Sequence, residues 1–354
     1  MRTAFASLAA IALASLSPSA AALATTPVPV SQPNQDAAIL HDVMAEFWAY
    51  VLERNPTLAS SVGVDDYAGQ VSDYSLAEMD REANQAGAFL KRLDMVHPDR
   101  LNEEDRVNYA ILQRMLREQV EANAFGQHTV NFTSYSSWHQ NFASLASNSP
   151  FDSKADYRSY IDRLAKFPQI NDQSIAVADQ AIAGGYTQPC VTLVGYEGTI
   201  TGLITEDPTE SRFYEPFTRP RPATISEADY EALKREAAQV IQHDVFPALV
   251  KERDWYTENY APKCARDPGV SSQPGGADYY AFRIRQMTTT DMTADEIHQL
   301  GLSEVARIRA EMEKVAAKAG YDSREAFIEH LRTDPSYYAK TPEELLAKSA
   351  LQAK

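Results

Sequence analysis

The sequence predicts an all-α (or nearly so) chain, a multi-helix array, and three observations lead there. Apolar side chains recur at three- and four-residue spacing through most of the 354 residues. Helix-start chemistry, a Ser, Thr, Asp or Asn followed three residues later by an acid, precedes many of these stripes. No run of alternating polar and apolar residues reads as a central strand.

The elements follow in order. Leu40, Val43, Phe47 and Val51 line a first helix that Asn55-Pro56 ends. Ser75 and Glu78 form a capping box before the stripe Leu76, Met79, Ala83, Ala86, Leu90, Leu93. A third helix starts near Asn102 and turns Tyr109, Leu112, Leu116 and Val120 inward. Residues 126–150 are rich in Asn, Ser and Thr and carry Phe132, Tyr135, Trp138 and Phe142, which predicts a loop or short irregular helix with large apolar anchors. Ser153 with Asp156 opens a helix bearing Tyr157, Ile161 and Leu164. Phe167-Pro168 is read as its end, a further helix runs to Gly184-Gly185, and Pro189 is placed at the start of the next.

Residues 206–224 contain four prolines and read as an internal linker. A long helix from Ser226 to about Tyr260 should kink at Pro247. Three closing helices start at Thr293 with Glu296, Asp322 with Glu325, and Thr341-Pro342 with Glu344. The stripe Ile297, Gly301, Val305, Ile308, Met312, Val315 marks the first of them. The last, residues 343–354, keeps Leu345, Leu346 and Leu351 to its end with no Gly stop, so the fold is expected to continue past it and the helix to expose apolar surface.

Residues 1–24 read as a signal peptide: Arg2, then a mostly apolar run from Ala4 to Leu16, then Ala22-Leu23-Ala24 as cleavage signal. Residues 25–35 form an extended lead-in, and 36–354 are expected to be one helical domain. Export, to a periplasmic or extracellular place, makes the compartment oxidising. Cys190 and Cys264, the only cysteines, are then expected to form one disulfide, with two separate buried thiols as the alternative. The net charge of −16 disfavours polyphosphate and anionic lipid surfaces, so neither nucleic acid nor, after leader cleavage, a membrane is an expected partner.

Catalytic motifs are scarce. Seven histidines include no H-E-x-x-H pair, and there is neither a G-x-S-x-G elbow nor a phosphate-cradling Gly loop. No catalytic residue, metal ligand or cofactor is therefore assigned in this chain. His298, His330 and His243-Asp244 read as solvated or structural. Trp138-His139 reads first as a loop pinned by buried aromatics and second as a cleft wall. The candidate site is the turn at Pro274. Gly275 and Gly276 allow close backbone approach, Tyr279 and Tyr280 offer hydroxyls, and Arg283 offers a guanidinium for a carboxylate. Such a set suits a short peptide; the alternative is a tight turn into a helix with core tyrosines.

The stretch PGGADYYAFRIRQMTTTDMTADEIHQLGLSEVARIRAEMEKV, residues 274–315, resembles the bacterial domain-of-unknown-function family DUF885. NPTLASSVGVDDY (55–67), Asp105-Arg106-Val107-Asn108-Tyr109 and YAPKC ending at Cys264 agree with it. The resemblance implies a helical, exported relative of gluzincin-type zinc metallopeptidases, whose His-Glu and Gly-His metal motif would follow Lys354. It implies that this chain is the N-terminal part only, with zinc expected for a full-length member alone. On that reading Gly275, Gly276, Tyr279 and Tyr280 wall a substrate groove and the chain alone is inactive. A non-catalytic helical binding module, or a truncated gene product, is the other class.

Overall fold

A computed structural model describes residues 34–353. The leader read in residues 1–24 lies outside them, as does all but the end of the lead-in. The first helix already begins at Gln35, capped by Asn34, whose side-chain oxygen accepts from Asp36 N at 3.1 Å.

Four helices open the chain: α1 (Gln35–Arg54), α2 (Pro56–Ser61), α3 (Leu76–Leu93) and α4 (Glu103–Asn123). α1, α3 and α4 share a small core of Leu40, Val43, Phe89, Leu93, Leu112 and Leu116. Phe89, not Leu90, is the central side chain of α3, with Phe47 edge-on at 5.6 Å and Leu90 only partly buried. The Ser75 capping box forms only by half. Ser75 accepts from Glu78 N, but the Glu78 carboxylate is drawn to Arg54 at 2.8 Å, and Asp73 takes the Ser75 amide. A tertiary ion pair has outcompeted the local cap.

The main core lies in the next six helices: α5 (Trp138–Ala143), α6 (Lys154–Leu164), α7 (Phe167–Gly184), α8 (Tyr196–Thr201), α9 (Glu227–Val240) and α10 (Phe246–Trp255). Pro189 heads a short 3-10 turn before α8 rather than α8 itself. The Pro-rich stretch 206–224 is built into this core through Phe213, Tyr214 and Phe217, all buried. Its Arg212–Thr218 turn is 3-10, the geometry that suits a segment interrupted by Pro216.

The long helix predicted from Ser226 to Tyr260 is continuous, but it changes pitch twice. π-helical turns occupy Ile241–Val245 and Tyr256–Tyr260, on either side of α10. Pro247 lies at the start of α10. It has no amide hydrogen to give a turn below, and the widened π turn before it accommodates that loss.

Beyond the body come α11 (Gly276–Thr288), α12 (Ala294–Lys318), α13 (Arg324–Thr333) and α14 (Pro342–Gln352). Thr293 and Glu296 make the complete, reciprocal capping box of α12. At α13 the cap is Ser323, not Asp322, and its hydroxyl accepts from Ala326 N. α12 packs chiefly on α13, and Ala316 is its one buried side chain. Leu300, Val305, Ile308, Met312 and Val315 of α12 remain exposed, as do Leu345, Leu346 and Leu351 of α14. No strand occurs among the described residues, and no helix there is long and apolar enough to cross a membrane.

Candidate functional site

The Pro274 turn is held from three sides. Gln127 Nε2 donates to Pro274 O at 3.0 Å, Gln273 Nε2 donates to Thr187 O at 3.0 Å, and Gly276 N donates to Gln273 O at 2.9 Å. Gly275 sits at φ +62°, the left-handed region where a side chain is strained. A Cβ on Gly276 would lie 1.8 Å from Val270 O. Both glycines are therefore explained by the turn itself. Gly276→Ala should cost about 1–3 kcal/mol, because a rigid carbonyl must move; urea unfolding checks this, and an unchanged midpoint would contradict it.

α11 then divides the predicted residues between two faces. Tyr279 leans inward, its ring 5.6 Å from Phe125, which stacks on buried Phe282 at 5.4 Å. Tyr280 is 47% exposed on the other side. Arg283, half-buried, bonds Gln286 of its own helix. Of the predicted side chains only Tyr280 is exposed, and the exposed Met287 and the open stripe of α12 follow it in the chain. A groove of about 460 Å³ runs on the far side of α11 against α4, lined by Arg114, Arg117, Arg285, Thr289 and Asp291. Another depression, of about 370 Å³, is bordered by Asp80, His128 and Tyr186. The candidate turn lines neither of these two.

The Thr288-Thr289-Thr290 run has a local cause. Thr289 closes α11 at φ +60°, the one non-glycine residue with positive φ among the described residues. Arg114 Nη2 donates to Gln286 O at 2.8 Å and so satisfies a carbonyl at this helix end. Thr288 Oγ1 donates to Ile284 O at 2.8 Å.

The densest polar chemistry lies elsewhere, in the core. His139 of α5 and Glu252 of α10 are both fully buried, with Nδ1 2.5 Å from Oε1. His139 Nε2 stands 3.0 Å from Thr199 Oγ1, and Ser137 Oγ lies 3.0 Å from the same ring. Trp138 Nε1 donates to Asn171 Oδ1 at 2.8 Å, and Asn171 Nδ2 donates to Ala248 O at 3.0 Å. Burial pushes the Glu252 carboxyl up against the opposing pull of His139. Serine, histidine and glutamate in contact suggest a nucleophilic triad, but here all three are closed off from solvent and no substrate reaches them. Local pattern does not reveal this pair, since 113 residues separate its members. His139 set among aromatics is the only sign of it in the sequence. Among the described residues no group of three or more His, Cys, Asp or Glu side chains is placed to hold a metal.

The cysteines are joined as Cys190–Cys264, with Cα atoms 5.0 Å apart. Cys190 N donates to Ala265 O and Ala265 N to Gln188 O, each at 2.9 Å, so backbone pairing flanks the bridge.

Fold and site together define a disulfide-tied helical body with an open apolar arm. The family model matching residues 56–354 is described as a bacterial protein of unknown function (DUF885), and the chain belongs to that family. Among solved structures it is similar to the crystal structure of a candidate lipoprotein from Colwellia psychrerythraea, with a TM-score of 0.77 and 18% identity. That match covers 90% of this chain and 57% of the other, so the chain spans little more than half of that protein's length. Comparison with curated proteins found no match.

Proposed function

We propose that this chain is the groove-forming helical scaffold of an exported zinc-dependent peptidase, acting on short peptides, whose metal ligands come from polypeptide outside residues 1–354. The observation that carries the reading is the exposed apolar side chains of α12 and of α14, in a fold whose longer solved neighbour is matched over only 57% of its chain. A helix with such a stripe is built to lie against something. The described residues do not fit zinc: the fully buried His139–Glu252 pair is two groups, and no third ligand type joins them. Zinc would supply a polarised water and carbonyl in the complete enzyme; this chain's part is to hold and orient. On α11, Tyr280 is exposed and Arg283 half-exposed, and their groups suit a peptide's carbonyl and carboxylate. Left alone, the face also favours self-association of the isolated chain.

The purified, leader-free chain should show neither stoichiometric zinc uptake by calorimetry nor cleavage of a mixed peptide library with zinc present. Tight zinc uptake or metal-dependent turnover overturns the reading. Tight peptide binding without turnover, unaffected by Tyr280→Ala and Arg283→Ala, would favour a binding module with a different site.

A further inference from the structure

The neighbours of the buried His139–Glu252 pair fix how many protons it holds, whatever the function of the chain. Thr199 Oγ1 donates its single hydrogen to Tyr196 O at 2.7 Å. It has none left for His139, so the contact at Nε2 is made by an N–H of the imidazole, accepted by Thr199. Ser137 Oγ, donating to Gln140 Oε1 at 3.0 Å, stands 3.0 Å from Nε2 as a second acceptor. The other ring nitrogen meets Glu252 Oε1 at 2.5 Å, a distance that requires a proton between them.

We propose that His139 and Glu252 form a buried proton lock: the folded protein retains one proton in the Nδ1–Oε1 bond and a second on Nε2, so alkaline pH weakens the packing of α5 against α8 and α10. Whether the shared proton sits nearer nitrogen or oxygen does not alter the count, and the pair is neutral overall. Without that proton the core would hold a net negative charge, a costly arrangement in a low-dielectric interior. Among the described residues Glu252 Oε2 has no hydrogen-bond partner, and no lysine or arginine pairs with the carboxylate to offset the charge. The other titratable group facing the pair is Tyr196 on α8, with Tyr256 on the second π turn packed on it and Tyr260 beyond, all pushed up by burial and so neutral. On α7, Asp179 is engaged by Trp255 Nε1 at 2.8 Å and Asn171 does not titrate.

In the unfolded chain a histidine loses its proton near pH ~6.5 and a glutamic acid near ~4.3. Between those values the folded and unfolded states hold the same number of protons on these two residues. Above ~6.5 the folded state holds one more, so stability falls as pH rises until the folded pair itself lets go.

Urea unfolding of the disulfide-intact chain from pH 5.5 to 8.5, set beside Glu252→Gln, tests this. Above pH ~6.5 the unfolding constant of the natural chain should climb about tenfold per pH unit more steeply than that of the variant. Parallel curves would overturn the lock. Should the variant fail to fold, nitrogen NMR of the natural protein decides: a hydrogen on Nε2 at pH 7.5 together with a strongly downfield Nδ1 proton supports it, and a bare Nε2 overturns it.

Discussion

Replacing Arg163 with alanine is expected to cost about 3–5 kcal/mol of folding stability. Arg163 lies on α6 and is 1% exposed. No carboxylate pairs with it among the described residues. Its guanidinium donates instead to Gln70 O at 3.0 Å, Pro56 O at 3.1 Å and Ser60 Oγ at 2.6 Å. Burial lowers its pKa, yet an arginine keeps its charge under any folding condition. The side chain therefore fastens α2 and the loop after it to the main core. Truncation would leave Gln70 O without this donor, while Pro56 O keeps its bond from Ser60 Oγ at 3.2 Å, and would open a void where the guanidinium and its stem lay. Arg163→Met fills the void but makes none of the three hydrogen bonds, so it should recover only part of the loss. Urea unfolding of both variants checks this, and a cost under about 1 kcal/mol for alanine would show that water replaces the guanidinium freely.

Removing the disulfide is the second large effect. The double variant Cys190→Ala, Cys264→Ala should lose about 4 kcal/mol, because the bridge closes a 74-residue separation and restricts the unfolded chain. The bridged segments also carry Tyr260 OH accepting from Gln188 N at 2.9 Å and Thr187 Oγ1 donating to Lys263 O at 3.0 Å. The native packing there persists without the sulfur link, so the loss should appear as a lower midpoint with an unchanged fold. Thiol labelling of the native protein without reductant should be silent; labelling of both residues would mean that the bridge does not form in solution.

Features that depend on neighbours along one helix are legible in the sequence. Asn102, Ser153, Ser226, Thr293 and Thr341 cap where their spacing to an acid three residues on places them. Where a distant partner intervenes, local reading fails. Glu78 leaves its cap for Arg54, and Phe89 displaces Leu90 from the centre of the α3 core. The π turns flank α10, the first just before Pro247, and neither change of pitch has a period in the sequence. Gly275 and Gly276 stand out in the sequence as unusual, but the carbonyl of Val270 that explains Gly276 lies in the loop before it. Arg163 and the His139–Glu252 pair look like ordinary polar residues until partners about a hundred positions away are brought to them.

The proposed scaffold role requires a body that holds together by itself and an arm, α12 to α14, whose apolar side chains stand exposed. Amide hydrogen exchange of dilute residues 25–354 measures this segment by segment. Amides of α6 and α7 should exchange only through global unfolding, whereas those of α12 and α14 should exchange orders of magnitude faster, through local opening. Equal protection of α12 and α7 in a monomer would mean that the stripe is already buried, and the chain would then be no scaffold waiting for the rest of an enzyme.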